Sequence, residues 1–189
     1  MEVDALDSLE IDETADLVLA RLIASTRELG LPGFSGVRAI VTDFDGVHTD
    51  DRAVVDENGL ESAVVSRSDG MGVGRARRTG LPMLILSTER APIVERRAEK
   101  LGVDCISGCD DKVPELERWL REQSIDPADV VYVGNDVNDL GCLQLVGHPV
   151  IVADAHPTLL QEGFATTARS GGDGALREVL DAVLSDLGG

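Results

Sequence analysis

The sequence predicts an α/β fold, a central parallel sheet with helices on both faces. Two observations carry this. Four short unbroken apolar runs, residues 37–42, 82–86, 130–133 and 150–152, have the length and composition of buried strands. Between them, residues 73–79, 92–101, 113–123 and 138–146 show amphipathic, helix-like spacing. Strands buried on both faces and joined by helices make parallel sheets, which bind ligands beyond the carboxyl ends of their strands.

The elements follow in order. Residues 12–29 place Ala15, Val18, Leu19, Leu22 and Ile23 at helical spacing, with Asp12 as a start signal and Gly30 and Pro32 as the stop. Residues 31–36 read as a linker, so that 1–36 form an N-terminal helix and linker and 37–189 the main domain. After the first strand, Ala53-Val54-Val55, Asn58-Gly59 and Ala63-Val64-Val65 predict a β-hairpin turning at Asn-Gly, a flap over the strand ends. No inserted segment is long enough for a large cap domain.

Composition narrows the function. With 189 residues, 43% hydrophobic and 28% charged, the chain fits one soluble domain plus a short appendage. Only 3% is aromatic, so the core must be aliphatic. There is no apolar run of about 20 residues to cross a membrane and no secretory leader, so the chain reads as cytoplasmic. A net charge of −18 argues against a nucleic-acid partner. An anionic substrate would need a metal, a lysine or backbone N–H groups to meet it. Cys105, Cys109 and Cys142 read as free thiols, and His48, His148 and His156 form no cluster.

Chemistry-bearing residues gather at predicted element ends. Asp43-Phe44-Asp45-Gly46 follows the first strand, and two acids there are costly unless a cation or hydrogen bonds hold them. Ser87-Thr88 follows the second strand with hydroxyls for a phosphate oxygen. Lys112 opens a helix, beside an N-terminus that favours anions. Gly134-Asn135-Asp136-Val137-Asn138-Asp139 adds a second acidic cluster after residues 130–133. Each alone is weak; the four in this order point to phosphate chemistry.

These four motifs resemble those of the haloacid dehalogenase (HAD) superfamily, from about Val37 onwards. The stretches Asp43-Phe-Asp-Gly-Val-His-Thr-Asp50, Asp69-Gly-Met-Gly72, Val94-Glu-Arg-Arg-Ala-Glu-Lys-Leu-Gly102, Ala153-Asp-Ala-His-Pro157 and Gly171-Gly-Asp-Gly-Ala-Leu-Arg-Glu178 are similar to its capless phosphatases of 3-deoxy-D-manno-octulosonate 8-phosphate and sialate-like 9-phosphates. The resemblance implies a Rossmann-like HAD fold. It also implies a magnesium-dependent phosphomonoesterase acting on a small phosphorylated 2-keto-3-deoxy sugar acid. Asp43 would be the nucleophile, Asp45 the general acid and base, and Ser87 and Lys112 the phosphoryl-holding groups. Magnesium would be held by Asp43, the Asp45 carbonyl and the fourth motif, with Asn135, Asp136 and Asp139 as candidates. Gly46, Thr88, Arg67 and Arg177 are candidates for the substrate. In capless relatives neighbouring subunits close the pocket. The resemblance therefore implies a homotetramer, with the hairpin (residues 53–65) and the tail (residues 171–177) at the contacts.

The sequence departs from the family in places. Asn135 stands where an aspartate is usual, Ser68 where an arginine is common, and Asp173 where a basic residue is common. The N-terminal Leu9–Ala20 stretch resembles the closing segment of N-acylneuraminate cytidylyltransferases, making residues 1–36 a remnant of such a domain and tilting the substrate towards a nine-carbon sugar acid. Two alternatives stand beside this reading. One is a largely non-catalytic tetramerisation module of a sialate cytidylyltransferase, although both Asp43 and Asp45 and also Lys112 are retained. The other is an HAD phosphatase for a different small phosphate.

Overall fold

The computed structural model describes residues 31–188. The helix expected over residues 12–29 lies outside the described residues. In chain order the elements are β1 (Ala39–Thr42), β2 (Val54–Val55), β3 (Glu61–Ser62), α1 (Arg67–Arg78), β4 (Met83–Leu86), α2 (Pro92–Leu101), β5 (Asp104–Ile106) and α3 (Lys112–Gln123). There follow β6 (Val130–Gly134), α4 (Leu140–Leu145), β7 (His148–Ile151), α5 (Pro157–Leu160), β8 (Ala165–Thr166) and α6 (Ala175–Leu187).

Six strands form one parallel sheet in the order β5-β4-β1-β6-β7-β8. From β1 the chain moves outward to β4 and β5, then crosses back to β6 on the other side. That reversal opens a crevice at the carboxyl ends of β1, β4 and β6. Helix α1 packs on α6 and α3 on α4. The core is aliphatic as expected: β1, β4 and β6 are buried along their whole length, and Tyr132, Phe34 and Phe44 are the largest fully buried side chains.

Helix α1 begins at Arg67, six residues before the predicted start. Ser66 caps it by accepting from the Asp69 N–H at 3.2 Å. Three glycines, Gly70, Gly72 and Gly74, hide its apolar period. Gly72 lies at the crossing with α6, where a Cβ would come within 2.9 Å of the Arg177 side chain. Helix α2 matches its predicted bounds, with proline at its first position and left-handed Gly102 ending it.

The hairpin forms, with Val55 opposite Glu61 and left-handed Gly59 in the turn. Asp56 fixes the turn by accepting from the Asn58 and Leu60 N–H groups. It is separate from the main sheet, and Val54, Val55, Leu60 and Val64 are exposed. The stretch read as a linker joins the fold. Phe34 is fully buried beside His148, and its N–H donates to Asp186.

Candidate active site

The crevice at the sheet's carboxyl edge collects the predicted groups from separate elements. Asp43 leaves β1, and its N–H donates to the Val133 carbonyl on neighbouring β6 at 2.9 Å. Lys112, the first residue of α3, is buried and bridges two carboxylates: Asp43 Oδ2 at 2.8 Å and Asp139 Oδ1 at 2.7 Å. One ammonium between two buried carboxylates leaves an excess of one negative charge. Burial, then the Asp139 carboxylate, push the Asp43 carboxyl up to about 7 despite the opposing pull of Lys112. Burial works against the Lys112 ammonium, but Asp43 and Asp139 together hold it above the ordinary lysine range.

Asp139 is fully engaged by the protein. Oδ1 accepts from Lys112 and from the Tyr132 hydroxyl at 2.7 Å, and Oδ2 accepts from the N–H groups of Asn135 (2.9 Å) and Asp136 (3.2 Å). A carboxylate offers about four acceptor sites, and four donors fill these. Expected as a metal ligand, Asp139 is instead the post that fixes Lys112 and the fourth-motif loop. Gly134 makes room for it, since a Cβ there would meet Asp139 at 2.7 Å. Tyr132 went unnoticed in the sequence because it reads as one more apolar strand residue.

Asn135 carries the opposite signature. The residue is buried, yet its Oδ1 has no hydrogen-bond partner. A buried amide oxygen costs free energy unless something coordinates it. Gly46, left-handed at φ 71°, lies directly against this side chain: a Cβ on Gly46 would sit 1.9 Å from Asn135 Nδ2. An unpartnered oxygen beside an excess negative charge suits a hard divalent cation that keeps several waters. Asp43, the Asp45 carbonyl and Asn135 would be its oxygen donors. Among the described residues no three His, Cys, Asp or Glu side chains gather as a metal cluster. With Asn135 in place of an acid and Asp139 committed elsewhere, such a carboxylate cluster is not needed.

Ser87 is buried at the end of β4. Its Oγ accepts from the Glu89 N–H at 3.0 Å, which leaves the hydroxyl proton free to donate. Asp45 lines a cavity of about 320 Å3 under the hairpin. Burial, then the Glu89 and Asp51 carboxylates, raise its pKa above the ordinary aspartate value. A carboxyl kept protonated longer is suited to acid catalysis. A roomier cavity of about 560 Å3 lies near the opposite edge, around Val37, Pro82 and Leu187, and is lined by none of these groups.

The remaining candidates fall outside this cluster. Asp136 caps the turn over Val137–Asp139, with Oδ1 accepting from the Val137 N–H. Thr88 is exposed and lies 3.5 Å from the Asn138 amide. Arg67 is exposed at the start of α1. Arg177, expected to grip substrate, is committed to Asp181 at 2.6 Å and packs over Gly72, so it serves the contact between α1 and α6. Its i,i+4 spacing to Asp181 was the sequence signal for that role. Within the tail, residues 171–174 fold back onto this chain's own catalytic loop, whatever else the tail meets. Gly172 N–H donates to the Val47 carbonyl at 3.0 Å, Gly171 N–H to Asp154 at 2.9 Å, and a Cβ on Gly171 would lie 1.8 Å from the Gly46 carbonyl oxygen.

Residues 97–178 match the model of the haloacid dehalogenase-like hydrolases. The chain is 34% identical over 149 residues to the 3-deoxy-D-manno-octulosonate 8-phosphate phosphatase of Escherichia coli K12, covering 78% of this chain and 79% of that one. It belongs to the HAD hydrolases. Among solved structures, a HAD family hydrolase of Streptomyces avermitilis is 47% identical with a TM-score of 0.77, covering 82% of this chain and 95% of that one. The octulosonate phosphatase of Moraxella catarrhalis, solved with magnesium, phosphate and its sugar acid, is 26% identical with a TM-score of 0.74, covering 80% and 87%. This HAD enzyme is a phosphoric monoester hydrolase.

The role of Asn135 can be measured directly. In this HAD chain Asn135→Asp raises magnesium affinity, read by calorimetric titration, because it adds a carboxylate at the unpartnered oxygen. Asn135→Ala weakens affinity by at least about tenfold. Equal affinities in all three proteins would remove Asn135 from the metal set.

Proposed function

We propose that the chain releases inorganic phosphate from the end of a 2-keto-3-deoxy sugar acid, an N-acylneuraminate or nonulosonate 9-phosphate or an octulosonate 8-phosphate. The observation that carries this is the buried Asp43–Lys112–Asp139 relay beside the unpartnered Asn135 oxygen. The relatives that act on octulosonate 8-phosphate supply the substrate class.

In the first step an Asp43 oxygen attacks phosphorus. The bond to the ester oxygen breaks, and Asp45 gives its proton to the departing alkoxide, leaving an aspartyl-phosphate and a sugar acid. In the second step Asp45, now a carboxylate, takes a proton from water as the water oxygen attacks phosphorus. The bond to Asp43 breaks and inorganic phosphate leaves. The Lys112 ammonium and the Ser87 hydroxyl face charge on the phosphoryl oxygens throughout. Asp43, the Asp45 carbonyl and Asn135 would hold magnesium, which would offset the charge of the phosphoryl group.

The proposed organisation keeps a cytidylyltransferase remnant ahead of the phosphatase domain, which takes in Phe34 from the expected linker, in a cytoplasmic homotetramer. The apolar side chains of Val54, Val55, Leu60, Val64 and Met71, all exposed, support association of copies. The test is phosphate release from octulosonate 8-phosphate, neuraminate 9-phosphate and other nonulosonate phosphates with magnesium, alongside sedimentation of the enzyme. Turnover of one ester at least about tenfold above the others names the substrate. Magnesium binding with no turnover of any would favour the assembly module.

A further inference from the structure

Just past the first motif, His48 is buried and has no part in the chemistry above. It closes the loop that carries both acids. Its N–H donates to the Phe44 carbonyl at 2.8 Å, across a turn that contains Asp45 and Gly46. Its ring stacks on the Phe44 ring, with centroids 5.7 Å apart and planes 21° from parallel. Its Nε2 is hydrogen-bonded to Thr42 Oγ1 at 2.9 Å. Thr42 ends β1, in register with Ile85 on β4 and Val133 on β6, so the sheet fixes it. One side chain thus joins the residues on either side of Asp43. Phe44 passes the constraint on, because its N–H donates to Asp43 Oδ1 at 2.7 Å.

Filling space does not explain an imidazole here. Its Nδ1 is buried with no hydrogen-bond partner, a cost that an aliphatic side chain of similar volume would not carry. Nor does proton transfer explain it. Burial, then the Arg97 guanidinium, press its pKa down to about 3, so the ring stays neutral. What an aliphatic residue could not supply is the bond to Thr42.

We infer that His48 is a positioning residue, which ties Thr42 to Phe44 and so holds the Asp43 carboxylate aimed at phosphorus. This rests on the phosphatase reading above and adds to it a residue that governs the rate of the chemical step. A misaligned nucleophile binds its ester as before and attacks it more slowly, so loss of His48 falls on kcat and spares KM.

The test is a cycle of His48→Leu, Thr42→Val and the double variant, with p-nitrophenyl phosphate and magnesium. Each single variant lowers kcat by about tenfold or more, with KM within about twofold of wild type. The double variant is no slower than either, because both changes break one tie. It melts at or above the wild-type temperature, since two apolar groups replace the hydrogen-bonded pair and remove the unpartnered Nδ1. His48→Gln keeps a polar group within reach of Thr42 and returns kcat to within about threefold of wild type. A double variant with the wild-type kcat, a loss confined to KM, losses that add, or a slow His48→Gln would each overturn the inference and leave the phosphatase standing. So would a double variant that fails to fold, which would make His48 a core residue only. A wild-type protein that hydrolyses no phosphate ester, p-nitrophenyl phosphate included, would sink both.

Discussion

Asp43→Asn lowers kcat by about 10^4-fold or more, because an amide of nearly the same shape cannot form the covalent intermediate. The same change strengthens the fold when magnesium is withheld. The folded-state pKa of Asp43 is lifted from 3.8 to about 7. Protonated Asp43 therefore contributes stability that is fully present below pH 3.8 and is lost as pH rises through about 7. At pH 8 in a chelator the wild type carries that loss and the amide variant does not. The loss of one acceptor for Lys112 offsets part of the gain, so the variant is more stable by roughly 1–3 kcal/mol. Thermal melts at pH 4 and pH 8 check this, the advantage appearing only at the higher pH. A variant that melts lower at pH 8, or turns over at the wild-type rate, would remove Asp43 from its assigned place.

Lys112→Met has the largest expected effect on stability. It leaves two carboxylates, 6% and 0% exposed, without the cation between them. Removing one partner of a buried ion pair costs about 3–5 kcal/mol, a large share of the roughly 5–15 kcal/mol that holds a domain together. Urea denaturation in a chelator measures it. Magnesium restores more stability to this variant than it adds to the wild type, since the added cation replaces the lost one. Should the single variant fail to fold, Lys112→Met with Asp139→Asn removes one of the stranded charges and recovers part of the loss. A cost under about 1 kcal/mol would show that the ammonium is not what holds these acids together.

Much of this was legible in the residues. β1, β4 and β6 are continuous apolar runs, so their ends, and with them Asp43, Ser87 and Asn135, were placed correctly. What escaped were elements whose signal is short or spread out. β5 is three half-exposed residues and β8 only two, too few to show a period. Helix α6 buries Leu176, Val179, Leu180 and Val183 at clear helical spacing, but the glycines before it drew the reading towards an irregular tail. Asp139 and Asn135 look interchangeable as ligands in one dimension. Only the count of donors around each separates the saturated carboxylate from the unpartnered amide. Likewise Asp69, quoted for its motif, proves to accept from the Arg177 N–H at 2.9 Å, tying the start of α1 to the start of α6.

The contact of Gly171 and Gly172 with the loop around Gly46 and Val47 bears on how the enzyme is born. Translation delivers the nucleophile early, but the backbone that supports its loop emerges only after all eight strands of the described residues have been made. A ribosome-tethered chain that has reached β7 therefore has its reactive aspartate without a settled loop to aim it. Hydrolytic power is withheld until synthesis has passed the glycine pair.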